Sequence, residues 1–316
     1  MCSERPDAAE VADSYVLATE PALAAVTGIQ YTAVFLTPNL EAVRQEPALY
    51  PLMRAMYVLS LLERSHLTCV ATLGRNHRWL KGMRASIDAN NVLTFAASLR
   101  GFLEAAADSH DILQYLPVAL IECRDYLYAS LHRPDRVSAE LGLKELEDRL
   151  IHFAFAKRQP KDGDAPSTHK PKATTDYIRE LQRFGVDGAA SLYAELCELT
   201  HPAAPSVDCF LDAFEHAYTV NFGKDKESID DILRRHNDTL IRLLMYSFNP
   251  ALACMAFLAR LAPGWPAPSD SSLRGIPLAA KNLPLFNELP SRIGKPMQVE
   301  VLQRALAGLA QHAPGA

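Results

Sequence analysis

Hydrophobic residues recur at helical spacing along most of the chain, and strand-like alternation is nearly absent. The longest helical pattern runs from Tyr50 to about Ile87, and Pro51 suits the first turn of that helix. The best strand candidate is the short, isolated run 29–36. Because consecutive amphipathic helices with short connections pack as antiparallel neighbours, the pattern predicts an all-α fold, an antiparallel multi-helix bundle.

The same periodicity predicts a series of shorter helices downstream, the first of them capped by Asn90. A turn at Asn249 and Pro250 is expected to separate the last two. The predicted helices cover residues 91–109, 116–131, 143–157, 174–184, 188–201, 207–220, 226–248 and 251–262.

Composition divides the chain into three parts. Residues 1–49 predict an irregular N-terminal arm with a short helix or two, punctuated by prolines. Residues 50–262 form the predicted bundle, which includes a charged, proline-containing mobile loop at 158–172. Residues 263–316 are a proline-rich region that ends in an amphipathic helix at about 297–310, suited to dock on the core or on a partner.

The bulk composition favours a globular protein of a reducing compartment. The chain has 316 residues, of which 49% are hydrophobic, enough to build a core. The cysteines form no C-x-x-C pair, and most lie in apolar helical runs, which is typical of free thiols. The N-terminus has no basic segment followed by an apolar one, so no signal peptide is predicted. We therefore expect a soluble, cytoplasmic protein.

Charge and hydropathy argue against two kinds of partner. The net charge of −5 disfavours nucleic acid and anionic membranes for the chain as a whole. The most membrane-like stretch, 243–259, is interrupted by Asn249 and Pro250 and is short for a clean span. The predicted loop still offers a local basic patch for phosphate, although no aromatic residue is interleaved and a solvated linker is the alternative. Its basic residues are Lys157, Arg158, Lys161, Lys170 and Lys172.

Two stretches carry polar residues that could form a functional site. Arg100 and Glu104 share one face of an otherwise apolar helix, where a buried pair would need further polar partners. The stretch SLYAELCELTHPAAPS, residues 191–206, ends its predicted helix at His201, because the following proline disfavours the helical conformation. The alternatives are a solvated surface pair and a histidine that satisfies the last carbonyls of its helix. The residues expected to line one polar cleft are Arg100, Glu104, Tyr193 and His201.

These two stretches resemble bacterial helical proteins of the HEPN superfamily, which carry an Arg-x-x-x-Glu helix and a later Tyr-x-x-Leu-x-x-x-x-His-Pro-like segment. The similarity extends over about residues 50–220. The resemblance implies a helical bundle, often dimeric, and in the active members a metal-independent ribonuclease whose arginine precedes its histidine on the same helix. This chain departs from that pattern, since Ala194, Glu195 and Leu196 occupy the arginine positions. A carboxylate there would repel a phosphate.

A di-metal carboxylate bundle is an alternative reading of the same residue types. Such bundles use two Glu-x-x-His pairs with further carboxylates, because residues three apart on a helix project the same way. Here the candidates are Glu63, His66, Glu104, Glu198 and His201.

Two weaker arrangements involve other residues. A zinc site from Cys197, His201 and Cys209 matches no common ligand spacing. Asp148 lies one turn before His152 and could orient its ring, although a satisfied core histidine is the alternative. The chain has no phosphate-binding loop and no dinucleotide fingerprint, so no cofactor is predicted.

The sequence therefore predicts a HEPN-like binding or regulatory protein whose candidate ligand is RNA. The first alternative is a metal-independent ribonuclease, in which His201 handles protons and Arg100 faces the phosphate. The second alternative is the di-metal protein. The expected partners are RNA or protein, including a second copy of the chain.

Overall fold

A computed structural model describes most of the chain, namely residues 7–31, 48, 50–133, 143–157, 166–202, 204–261 and 264–268. Three sequence predictions lie wholly or partly outside these residues. They are the strand candidate beyond Tyr31, the loop at 158–165 and the C-terminal helix at 297–310.

The described residues are mostly helical, which confirms the prediction of an all-α, multi-helix fold. Short 3-10 turns at Ser167–His169 and Phe222–Lys224 and one antiparallel hairpin, β1 Leu211–Phe214 with β2 Ala217–Val220, complete the described structure. The helices are α1 Ala8–Ala25, α2 Tyr50–Asp88, α3 Val92–Leu113, α4 Leu116–Glu122, α5 Arg124–His132, α6 Lys144–Phe155, α7 Thr174–Arg183, α8 Ala189–Thr200, α9 Ala204–Asp208, α10 Asp225–Arg235 and α11 Asn237–Leu261.

The core lies where α2, α3 and α11 pack against one another, with α1 on one side and α7 and α8 against α3. Leu61, Leu99 and Phe248 are fully buried there. Gly101 allows α2 and α3 to approach closely, because a Cβ at that position would lie 2.7 Å from Cζ2 of Trp79. The long apolar pattern from residue 50 therefore forms one uninterrupted helix along the middle of the fold.

The helix predicted from 91 begins as expected, but its cap is Asn91 and not Asn90. The Asn91 side chain accepts a hydrogen bond from the backbone N–H of Thr94 at 2.9 Å. Asn90 instead takes a left-handed conformation with φ of 47°, which ends α2. The predicted cap was one residue too early because the two consecutive asparagines have different roles. Asn90 ends α2, and Asn91 caps α3.

The N-terminal arm was predicted to contain a short helix or two, and residues 8–25 form one continuous helix, α1, that runs through Pro21. Tyr15 is fully buried, stacks on Phe248 at 4.9 Å between ring centroids, and donates its hydroxyl proton to Asn249 Oδ1 at 2.8 Å. Pro21 has no N–H to donate to the carbonyl of Leu17, four residues earlier. Both residues lie on the exposed side of α1, where water can bond that carbonyl, so the helix is not broken.

The predicted turn at Asn249 and Pro250 is also wrong, because α11 continues through both residues. A proline inside a helix removes a hydrogen bond and costs about 3 kcal/mol. Burial against neighbouring helices outweighs that local cost, and Asn76 Nδ2 donates to the carbonyl of Ser247 at 3.2 Å in the turn before the proline. The helix boundary lies earlier than predicted, at His236 between α10 and α11.

The segment 207–220, predicted as a helix, becomes the end of α9 and the β-hairpin. Leu211 pairs with Val220 and Phe214 with Ala217. Cys209 packs against the core, but the apolar residues farther along the segment are not covered, and Phe214 and Tyr218 stay exposed. A pattern of apolar residues produces a stable helix only when packing buries its apolar face.

One helical stretch, Asn237–Ala259, is long and apolar enough to cross a membrane by composition, with a mean hydropathy of 1.4. The fold buries 67% of that stretch. Burial of this extent is typical of the core helix of a soluble protein.

His110 at the end of α3 is buried without a hydrogen-bond partner for either ring nitrogen among the described residues. Its ring makes T-shaped contacts with the rings of Phe184 and Tyr246, whose centroids lie 5.1 and 5.7 Å from its own. Burial lowers the pKa of His110 to about 4, although the charge of Asp111 acts in the opposite direction. The folded protein therefore holds this imidazole neutral well below the pH at which it titrates in the unfolded chain.

We expect His110→Leu to make the protein less sensitive to acid. The folded pKa is depressed, so the stability linked to His110 is complete above the unfolded pKa of about 6.5 and is lost as pH falls toward about 4. Between pH 7 and pH 5 the wild-type protein should lose about 2 kcal/mol more of its unfolding free energy than the variant. Denaturant titrations at both pH values measure this, with His216→Leu on the exposed hairpin as the control. An equal acid loss in His110→Leu and wild type would contradict the assignment.

A second expectation concerns the contact between α1 and α11. Tyr15→Phe removes the hydroxyl that donates to Asn249 and should lower the unfolding free energy by about 1–2 kcal/mol. Urea denaturation of Tyr15→Phe measures the loss, and Tyr218→Phe, on the exposed hairpin, is the matched control. Equal stability of the two variants would show that α1 is not anchored through this hydrogen bond.

Candidate functional site

The polar residues singled out in the sequence meet where α3 packs against α8. Arg100 and Glu104 occupy successive turns of α3, Tyr193 lies on α8, and His201 directly follows the last residue of that helix. His201 has an extended backbone, with φ of −93° and ψ of 155°, as expected for a residue before a proline. The structure thus brings together four side chains that span about a hundred positions of sequence.

Arg100 is the hub of this cluster. Its Nε donates to Glu104 Oε1 at 2.9 Å, and its Nη1 donates to Thr200 Oγ1 at 2.9 Å. The same Nη1 lies 3.3 Å from Nε2 of His201. The guanidinium carbon also lies 5.7 Å from the ring centroid of Tyr193, a cation–π distance. About a quarter of the Arg100 side chain is exposed, so the group remains accessible from solvent.

Glu104 connects the arginine to the tyrosine. Its Oε1 accepts from the hydroxyl of Tyr193 at 3.1 Å as well as from Arg100. Burial, a hydrogen bond with the Cys197 thiol and the Glu104 charge raise the pKa of Tyr193 to about 12. The phenol is therefore a neutral donor at physiological pH, and it helps to hold the carboxylate against Arg100.

The contact between Arg100 and His201 indicates which imidazole nitrogen is the acceptor. A guanidinium has only donors, so Nε2 of His201 accepts in this contact, which fits the tautomer with its proton on Nδ1. His201 is exposed. The ring therefore presents an N–H donor beside the guanidinium, at the surface of the protein.

One residue of this cluster was not found from the sequence. Thr200 accepts from Arg100 and donates to the carbonyl of Leu196 at 2.7 Å. It belongs to no recognisable pattern, and the only available signal was its position directly before His201. Cys197, considered from the sequence only as a zinc ligand, lies against Tyr193.

Glu195, expected to repel phosphate, is neutralised by α10. Both of its oxygens accept from Arg235, at 2.6 and 3.0 Å, and Oε2 also lies 2.9 Å from His236 Nε2. Burial alone would raise its pKa, but the hydrogen bonds from Arg235 and His236 hold the pKa of Glu195 below its usual range. An arginine, Arg235, therefore does lie beside α8, but it belongs to α10 and is paired with the Glu195 carboxylate.

Of the two readings of His152, the one in which Asp148 orients its ring is wrong. Asp148 pairs with Lys144 on its own helix. The His152 ring instead lies between the carbonyl of Thr168, at 2.9 Å from Nδ1, and the hydroxyl of Tyr177, at 2.7 Å from Nε2. His152 is a satisfied structural histidine, as the alternative reading expected.

The candidate metal ligands do not assemble in the described part of the chain. It contains no group of three or more His, Cys, Asp or Glu residues placed to hold a metal ion. His66 is fully buried, and both its ring nitrogens are used, by the Tyr31 hydroxyl at 2.7 Å and the Pro266 carbonyl at 2.9 Å. Cys197 and Cys209 are free thiols.

The basic loop residues contribute less to a phosphate site than their number suggests. Lys172 is committed to Asp111 at 2.6 Å and to Glu180 at 3.3 Å. Lys157 and Lys170 are exposed. The other two, Arg158 and Lys161, lie outside the described residues.

The chain matches no protein-family model, no curated protein and no solved structure. The HEPN-like assignment stays a prediction from the two motifs.

We expect a measurable coupling energy between Arg100 and Glu104. A double-mutant cycle with Arg100→Gln, Glu104→Gln and the double variant should give about 1 kcal/mol, because the pair is partly shielded and hydrogen-bonded to Tyr193. The control cycle uses the more exposed pair Arg179 and Asp176, which should give at most about 0.5 kcal/mol. Urea denaturation measures both cycles, and equal values would show that the cluster is not organised around this ion pair.

Proposed function

We propose that this chain is a HEPN-like helical binding module whose surface site at Arg100 and His201 contacts a phosphate group of RNA. The observation that carries the proposal is the approach of the Arg100 guanidinium to the His201 imidazole, 3.3 Å apart at an accessible surface. Guanidinium and imidazole N–H groups are common donors to phosphate oxygens.

The free donors of the two side chains suit one anionic ligand. Nη2 of Arg100 makes no hydrogen bond within the described part of the chain, and the Nδ1–H of His201 has no partner there either. A phosphate at the mouth of the cluster could accept from both. Glu104 and Thr200 hold the guanidinium in place, which lowers the entropy lost on binding.

Binding is favoured over cleavage by the charge balance of the cluster. Arg100 already carries a carboxylate partner, which offsets the positive charge that would stabilise a phosphorane-like transition state. One observation keeps metal-independent cleavage as the second candidate: an imidazole, the side chain most often used to move protons, lies beside the Arg100 guanidinium at the surface.

The di-metal alternative has no support in the described residues, since His66 is used elsewhere and the candidate ligands do not cluster. We infer a cytoplasmic location from the cysteines, because all five described ones are free thiols. Neither of these two inferences bears on which ligand the site binds.

Binding of a fluorescein-labelled single-stranded RNA of mixed sequence, followed by fluorescence polarisation, tests the proposal. Arg100→Gln should weaken binding about tenfold, because it removes a charge-assisted contact. It should also reduce the slope of log affinity against log salt concentration by about 0.7, the contribution of one phosphate contact on a single strand. His201→Ala should also weaken binding, because it removes one hydrogen-bond donor from the site.

The matched control is Arg179→Gln, an exposed ion-paired arginine on α7, which should leave affinity at this site unchanged. Equal losses in Arg100→Gln and Arg179→Gln would indicate non-specific attraction only and contradict the proposal, as would wild-type protein that binds no RNA. Cutting of the RNA in EDTA that disappears in His201→Ala would favour the ribonuclease instead.

A further inference from the structure

The hairpin formed by Leu211–Phe214 and Ala217–Val220 carries an unusual amount of exposed apolar surface. Phe214, Tyr218 and Phe222 are 63%, 72% and 71% exposed. A fully buried aromatic side chain removes about 150–250 Å² from water, so these three leave roughly 400 Å² uncovered. Phe214 and Tyr218 lie on opposite faces of the hairpin, so both of its faces carry exposed aromatic surface.

The hairpin is also short of stabilising partners. A two-stranded sheet by itself is at best marginally stable in water, and additional strands or a covering element are normally required. All four residues of β2 are exposed, so neither face of that strand is packed. On β1 the carbonyl of Leu211 accepts from Lys224 Nζ at 2.7 Å, which occupies part of that strand's backbone.

The outer edge of β2 offers a defined set of backbone groups. Asn221 donates its N–H to the carbonyl of Phe210 at 2.7 Å, so its backbone faces β1. Because inward and outward groups alternate along an antiparallel strand, Thr219 also faces β1, and the N–H and C=O of Tyr218 and Val220 point away from it. Edge strands are usually protected by lysine or proline, and Ala217–Val220 contains neither.

The charges around the hairpin disfavour nucleic acid as its partner. Residues 204–224 carry Asp208, Asp212 and Glu215 against a single lysine, Lys224. Aromatic platforms for single-stranded RNA lie in positively charged grooves, so this segment has the wrong sign. A protein strand without net charge suits the edge better.

We propose that two copies of the chain join through their β2 edges into one four-stranded antiparallel sheet. The strand is self-complementary in the register centred on Thr219. The outward groups of Tyr218 then bond those of Val220 of the second copy, and the reverse pair forms by symmetry. Thr219 faces Thr219 of the second copy, and Tyr218 lies beside Val220, both favourable cross-strand pairs.

The self-paired arrangement also agrees in charge. No residue of Ala217–Val220 is charged, so like charges do not face each other across the new ladder. Pairing the edges removes the one open strand edge that the described fold leaves on β2.

The register predicts a specific cross-link. Thr219→Cys should form a disulfide between two copies under mild oxidation, because facing residues that do not share hydrogen bonds have Cα atoms about 4.5 Å apart, within the span that a disulfide bridges. Denaturing gels without reductant measure it, against wild type, whose own cysteines give the background, and Leu17→Cys on the exposed side of α1.

The solution state gives an independent readout. Light scattering with size exclusion should show a dimer that becomes monomeric in Val220→Lys and Val220→Pro, while Leu17→Lys stays dimeric. Circular dichroism confirms that the variants keep the helical core, since the hairpin lies outside it. A monomeric wild type would overturn the proposal, and so would a dimer that both Val220 variants leave intact. Cross-linking of Thr219→Cys no faster than that of Leu17→Cys would overturn the register.

Discussion

The ion pair between Arg100 and Glu104 is the contact on which the α3–α8 surface depends. One oxygen of Glu104 holds both the guanidinium and the hydroxyl of Tyr193, and the guanidinium reaches on to Thr200 and His201. A partly desolvated charge is tolerated only when such partners surround it. These contacts offset the cost of partly removing the guanidinium from water. They also leave its remaining N–H donors beside an imidazole at the surface.

Two buried histidines, His66 and His110, have contrasting surroundings. His66 uses both ring nitrogens, and so fastens the segments around Tyr31 and Pro266 to the long central helix. His110 has aromatic neighbours but no hydrogen-bond partner among the described residues, and it stays neutral at the expense of acid stability. Both are structural, which separates them from His201, the histidine that stays exposed at a helix end.

Much of the candidate site could be predicted from local pattern. Spacing along one helix placed Arg100 beside Glu104, and a following proline placed His201 at a helix end. The neutralisation of Glu195 by Arg235 could not be predicted, because it joins residues 40 positions apart on different helices. The hairpin was missed for a related reason, since nothing local shows that the apolar face of 207–220 lacks a surface to cover it.

The sequence by itself determined that this protein is helical, because apolar residues at helical spacing leave few other ways to bury them. It also determined where α3 begins, and where α8 begins and ends, to within one residue, through asparagine, glycine and proline. Only the tertiary structure decided that α1 is part of the core and that α11 passes through Pro250. Burial on both sides outweighs a local helix-breaking cost, and that burial depends on residues more than two hundred positions away.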